Sequence, residues 1–368
     1  MRRLIIIIPV LVAAAAPWLP TPDAHAQQKR VNFYNWSDYV DPSVLKDFTR
    51  ETGIEVTYDT FDANEVLETK LLAGKSGYDV VVPTAYFLSR QIKAGVFQKL
   101  DKPKLPNLVN VWPEIANRLA AYDAGNEYAV NYMWGTTGIG YNAKNVREIL
   151  GPDGKIDSWD LVFNPSKLAR FKDCGVQMLD SSDDIFPAAL NFLGINPNSK
   201  TPADLQKAAD LVTTVRPNVR KFHSSEYLNA LASGEICLVV GWSGDVKQAQ
   251  KRAAEAKNGV EIGYAIPKEG AQMFFDNMAI PKDARNVEGA HALIDYFQRP
   301  EIAARNSNHV SYANGNLASQ KLIDKAILDD PSIYPDAATM QRLYVITASD
   351  QQTTRLTNRL WTRVKTGK

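Results

Sequence analysis

The chain has 368 residues, with 42 Lys+Arg against 41 Asp+Glu and a formal charge of +1. That balance leaves no basic surplus for a phosphate backbone, so no nucleic-acid partner is expected. With 45% hydrophobic residues the chain is not of the disordered type, and its length suffices for one large domain or two ordinary ones.

Met1-Arg2-Arg3 is a basic start, and Leu4–Ala16 is apolar but too short to span a bilayer. Pro17, Pro20 and Pro22 break the run, and Ala24-His25-Ala26 has the small-x-small form of a cleavage site. Residues 1–26 therefore read as a secretory signal peptide. Its removal takes away Arg2, Arg3 and Asp23 and leaves equal numbers of acidic and basic groups. The mature chain is expected to be soluble and exported.

Val31–Trp36 reads as a strand. Asp41-Pro42 then opens a helix, with Asp as N-cap and Pro at the first helical position, and Gly53 ends it. Ile54–Tyr58 alternates as a strand, Asn64–Ala73 is helical, Tyr78–Val82 is a β-branched run, and Thr84–Ala94 is helical. This alternation implies βαβ units and a mostly parallel sheet. Further along, Tyr128–Met133 and Thr137–Tyr141 look like two strands. A second α/β region follows, with strands at Val176–Leu179 and Ile236–Val240 and helices at Ala203–Val215 and Asp245–Lys257. Gly263–Pro267 and Met278–Pro281 read as strands that rejoin the first region, and residues 313–368 as mainly helical. The division expected is lobe 1 over 27–133, lobe 2 over 134–257, a return to lobe 1 over 258–310, and lobe 2 with C-terminal helices over 311–368.

Two cysteines, Cys174 and Cys237, lie in the exported part. An even count in an oxidising compartment favours a disulfide, worth roughly 4 kcal/mol on a chain-entropy model. Two unpaired buried thiols are the alternative. His223, His291 and His309 lack metal-ligand spacing to one another or to a cysteine, so no metal is expected.

Enzyme signatures are incomplete. Gly74-Lys75-Ser76 resembles the end of a phosphate loop, but Thr69 stands where its first glycine belongs. Gly135, Gly138 and Gly140 have the wrong order for a dinucleotide fingerprint. Gly241-Trp242-Ser243-Gly244-Asp245 misplaces the second glycine of a nucleophile elbow. Neither a catalytic residue nor a cofactor is expected.

Instead, rings stand beside carboxylates near strand ends: Trp36-Ser37-Asp38-Tyr39, Trp242 to Asp245, Phe274-Phe275-Asp276, and the looser Asp180–Phe186 stretch with Asp183 and Asp184. Ligands bind outside the carboxyl ends of parallel strands, so these loops have the means to converge on one cleft. Rings with acids suit an organic cation, through ring faces and charge-assisted hydrogen bonds. Each piece has a plainer reading. Asp245 serves equally as N-cap of the helix that follows, Asp183 and Asp184 as a solvated turn, and one of Phe274 and Phe275 as core.

Long stretches then resemble a known family in order. They are Val31–Tyr39, Tyr78–Thr84, Tyr132–Asn142, Gly241–Asp245 and Ser311–Asn314. Over nearly all its mature length the chain is similar to the periplasmic polyamine-binding proteins of ABC importers, the spermidine/putrescine group, with the putrescine-binding branch nearest. The resemblance implies a type II two-lobed α/β binding protein, each lobe a mostly parallel sheet flanked by helices, with the ligand in the cleft between lobes. It implies no catalysis, a monomer, and an inner-membrane ABC permease as partner.

The resemblance also implies roles. Trp36, Ser37, Asp38 and Tyr39 form one wall, with Asp38 near an ammonium. Thr84, Tyr86, Asp184, Ser225, Trp242, Asp245, Phe274, Asp276 and Tyr312 fall on further binding positions. Cys174 and Cys237 fall where putrescine-type members carry a disulfide. Asp184 is one methylene shorter than the usual Glu, which implies an ammonium contact through water. Tyr86 matches the spermidine branch, whereas Phe274 and Asp245 point to putrescine. Putrescine is the expected ligand, with spermidine or another small organic cation as the alternative.

Overall fold

The computed structural model describes residues 29–367, so the signal peptide expected over 1–26 lies outside the described residues. The strands that build the sheet are β1 (Arg30–Trp36), β2 (Glu55–Phe61), β3 (Val80–Val81), β4 (Ala129–Asn142), β5 (Val176–Met178), β6 (Lys221–Phe222), β7 (Leu238–Trp242), β8 (Ile262–Ala265) and β9 (Ala271–Ala279). They run in the order β2-β1-β3-β9-β4-β7-β5-β6, with β8 beside β4. The principal helices are α1 (Pro42–Thr52), α2 (Asn64–Ala73), α3 (Ala85–Lys93), α4 (Ser182–Phe192), α5 (Pro202–Val215), α6 (Tyr227–Ser233), α7 (Ser243–Ala256), α8 (Val287–Phe297), α9 (Pro300–Val310) and α10 (Gln351–Thr366).

Local chemistry explains the first units. The Asp41 carboxylate accepts from Ser43 N–H at 2.8 Å, Pro42 occupies the first turn of α1, and Gly53 closes the helix at φ 72°. Val44 and Phe48 turn inward from α1. β1 runs parallel to β2 and β3, and β7 parallel to β5, as strand–helix alternation requires. The crossing strands depart from that rule: β4 is antiparallel to β7, β8 and β9, and β9 is antiparallel to β3. These strands pass between the halves without a crossover helix, so nothing forces them parallel.

Two apolar cores result. One gathers Phe33, Phe48, Val81, Leu293 and Phe297, and the other Trp159, Phe186, Val212, Leu231 and Val239. They meet at β4, one unbroken strand where two were expected. Its Ala129–Thr136 portion pairs with β9 and its Thr137–Asn142 portion with β7 and β8.

β8 pairs with the second half of β4, and β9 with Ala129–Thr136 of its first half. Tyr312 packs in the first core and Ala313–Asn314 pairs with β4 at Trp134 and Met133. Of the C-terminal stretch, α10 joins the second core through Leu360, Trp361 and Val364. In the Asp180–Phe186 stretch, Asp183 and Asp184 lie in the first turn of α4 and not in a solvated turn, and helix N–H groups favour acids there. Cys174 and Cys237 form a disulfide that ties the loop before β5 to the start of β7, with Cα atoms 5.6 Å apart. Among the described residues no helix is long and apolar enough to cross a membrane.

Candidate functional site

A cavity lies where the two cores face each other. It encloses about 770 Å³, part of it open to solvent. Every side chain expected at the cleft lines it: Trp36, Ser37, Asp38, Tyr39, Thr84, Tyr86, Asp184, Ser225, Trp242, Asp245, Phe274, Asp276 and Tyr312.

The loop after β1 supplies one wall. Asp38 takes the left-handed conformation, φ 55°, which Asp tolerates better than most residues, and the chain reverses there. Trp36 Nε1 donates to the Val82 carbonyl at 2.9 Å, and Tyr39 Oη donates to Asp276 Oδ2 at 2.8 Å. Asp276, only 4% exposed on β9, also accepts from Thr84 Oγ1 at 2.7 Å. Asn64 in turn fixes Thr84, donating to its hydroxyl at 3.0 Å and accepting from its N–H at 3.1 Å.

The facing wall is built by β7 and α7. Asp245 is not the N-cap; that position belongs to Trp242. Its carboxylate is held instead by Tyr227 Oη at 2.8 Å and Tyr312 Oη at 2.7 Å. The Tyr312 ring reaches Asp245 because residue 244 is glycine: a Cβ there would lie 2.1 Å from the ring. Asp184, 3% exposed, accepts from Thr137 Oγ1 at 2.5 Å and Trp242 Nε1 at 3.2 Å. Trp36 meets Trp242 edge to face at 5.7 Å, and Tyr39 meets Tyr312 likewise at 4.9 Å. Phe274 stands 6.3 Å from Trp242 and 6.2 Å from Tyr312, so the rings form a continuous apolar lining.

Burial governs the electrostatics. It pushes the Asp276 carboxyl up to about 7, with the charges of Asp184 and Asp245 adding and the Thr84 and Tyr39 hydrogen bonds opposing. Burial pushes Asp245 up to about 6 against its two tyrosine hydrogen bonds, and raises Asp184 against donors that include Thr137 and Trp242. Glu65 rises to about 7, again from burial first, with the Asp183 charge second.

Two of the expected residues have partners within the protein itself. Asp38 was assigned to an ammonium, but its carboxylate is already met by Arg252 of α7 at 2.8 Å. Arg252 also donates to Asn229 at 2.7 Å, so it ties the loop after β1 to α6 and α7. Ser225 Oγ donates across the cleft to Asp62 at 3.2 Å.

The sequence reading passed over Asp62, Glu65 and Gln272, which also line the cavity, and the role of Tyr227 behind Asp245. Phe61-Asp62 repeats the ring-beside-acid pattern at the end of β2, so the signal for Asp62 was present. Gln272 shares a strand face with Phe274 and Asp276 by period-two spacing, which marks it once β9 is recognised in full. With these included, the lining has Asp38, Asp62, Glu65, Asp180, Asp184, Asp245 and Asp276 but, among the described residues, no Lys, Arg or His.

The chain is similar to known proteins over most of its length. A model of the bacterial extracellular solute-binding proteins matches residues 43–335. The chain is 52% identical over 343 residues to the putrescine-binding periplasmic protein SpuD of Pseudomonas aeruginosa, covering 93% of this chain and 94% of that one. It is 48% identical over 359 residues to the putrescine-binding periplasmic protein PotF of Escherichia coli, covering 97% of each. Among solved structures, a putative spermidine/putrescine ABC transporter protein from Listeria monocytogenes superposes with a TM-score of 0.82 at 34% identity, covering 92% of this chain and 100% of that one. These relatives are solute-binding proteins and not enzymes.

Proposed function

The chain belongs to the family of bacterial extracellular solute-binding proteins; from that membership we propose that it captures putrescine in the periplasm and delivers it to an ABC permease of the inner membrane. One observation carries this reading beyond family membership: a ring-lined cavity with buried carboxyls and, among the described residues, no lining Lys, Arg or His. Such a site is short of positive charge, and a diamine supplies it at two points. Uncompensated buried carboxylates are costly, and ammonium groups that hydrogen-bond to them offset that cost. The four methylenes between the amines, laid against Trp36, Trp242 and Phe274, contribute about 3 kcal/mol before ordering costs.

Ligand is held by walls from both lobes, so binding favours the closed form over the open one. Trp36, Ser37, Tyr39 and Thr84 act from the first lobe, and Asp184, Ser225, Trp242 and Asp245 from the second. Phe274, Asp276 and Tyr312 sit where the chain passes between them. A triamine is the second reading. The acids beyond the ring box, Asp62, Glu65 and Asp180, favour it because they offer further partners for a third nitrogen.

Calorimetry on refolded, ligand-free protein tests the proposal with putrescine, cadaverine, spermidine and spermine. The expected result is micromolar or tighter binding, strongest for putrescine. Absence of binding to all four refutes it.

A further inference from the structure

Gln272 is a buried polar side chain of β9. It is 1% exposed, and its Oε1 has no hydrogen-bond partner among the described residues. A buried amide oxygen left unpaired is unfavourable, and native proteins keep few of them. Its position is informative. Residues 272, 274 and 276 follow one another at alternate places on β9, and such residues share one face of a strand. Phe274 and Asp276 line the cavity, and so does Gln272. The face therefore presents an acceptor, a ring and an acceptor in sequence.

We propose that Gln272 is a ligand-contacting residue whose Oε1 accepts an N–H of the bound polyamine. The proposal rests on the polyamine reading above and adds a residue to it. An ammonium group carries three N–H donors. A carboxylate already engaged by hydroxyl or indole donors has limited room for more, as at Asp184, where Oδ1 takes both Thr137 and Trp242. A neutral acceptor completes the donor count without adding another buried charge.

One competing arrangement is visible. Tyr344 is the cross-strand partner of Gln272, and its Oη is likewise buried without a partner. If the two were meant for each other, each would stabilise the ligand-free fold.

The test compares wild type with Gln272→Met, Gln272→Asn and Tyr344→Phe, each refolded without ligand, by calorimetry with putrescine and by thermal unfolding. Methionine keeps the volume and removes the acceptor; asparagine keeps the amide but withdraws it by one methylene. Both Gln272 variants are expected to bind putrescine at least tenfold more weakly. Gln272→Met is expected to leave the ligand-free Tm unchanged or raised, because an unpaired acceptor is gone. Tyr344→Phe is expected to bind within twofold of wild type. Affinity of the Gln272 variants within twofold of wild type overturns the proposal while leaving polyamine binding intact. A ligand-free Tm lowered in both Gln272→Met and Tyr344→Phe overturns it too, by assigning the pair to each other. A wild type that binds no polyamine overturns both readings.

Discussion

Putrescine binding should depend steeply on pH, and the two most perturbed carboxyls that hold hydroxyl donors in the cavity set the size of the effect. In the ligand-free protein Asp276 titrates at about 7 and Asp245 at about 6. Both amines of the ligand, with pKa values near that of lysine at ~10, stay protonated throughout this range. Binding needs the carboxylates ionised, so each must lose its proton first when the pH is below its free-state value. At pH 5.5 this weakens binding roughly 30-fold through Asp276 and about 4-fold through Asp245, on the order of 100-fold together relative to pH 8. Near pH 6 the same two groups release about 1.4 protons per ligand bound. Calorimetry in buffers of differing ionisation enthalpy measures both quantities. The stability of the ligand-free protein must move oppositely. These folded-state values lie above the unfolded ones, so the stabilisation is complete below the ordinary carboxylate range and is lost as pH rises through 6 to 7. Affinity that is flat from pH 8 to 5.5, with no proton release, refutes the assignment of Asp276 and Asp245 to the ammonium groups.

Three further outcomes are expected. Asp245→Asn should weaken putrescine binding by more than tenfold, measured by calorimetry at pH 8, because Tyr227 and Tyr312 would then orient a neutral amide. Arg252→Ala should speed putrescine release several-fold in stopped-flow fluorescence, since the Asp38 pair ties the loop after β1 to α7; Asp38→Asn should do the same, and the double variant little more. Replacing Cys174 and Cys237 together by serine should cost about 2–5 kcal/mol in denaturant unfolding while leaving affinity within threefold, because the bridge lies at the far end of β7 from Trp242.

Much of the site was legible because its residues sit at the ends of short periodic elements. Trp36–Tyr39 follows β1, Thr84 precedes α3, and Trp242–Asp245 joins β7 to α7, so ring and acid appear together in the chain. What escaped depended on distant partners. Arg252 lies 214 residues from Asp38, and nothing local to either announces the pair. β4 read as two strands because Gly135 looks like an interruption. The glycine is there for space: a Cβ would come within 2.9 Å of Phe274 and of Ser243 Oγ. α4 was hidden by Pro187 inside it and by two adjacent acids at its start, features that otherwise mark a turn. Only the tail of β9 was anticipated, so the face shared by Gln272, Phe274 and Asp276 went unread.

The route of the chain through its sheet also governs the timetable of folding. Ribosomes make the protein from the N-terminus, yet β3 receives its next neighbour only from β9. The first core further needs Leu293, Phe297 and Val310, from α8 and α9, before it closes. All of the second core except α10 is therefore synthesised before the first can be finished. Contacts of such long sequence separation are slow to form. A nascent chain with this wiring keeps its leading half unlocked through most of translation.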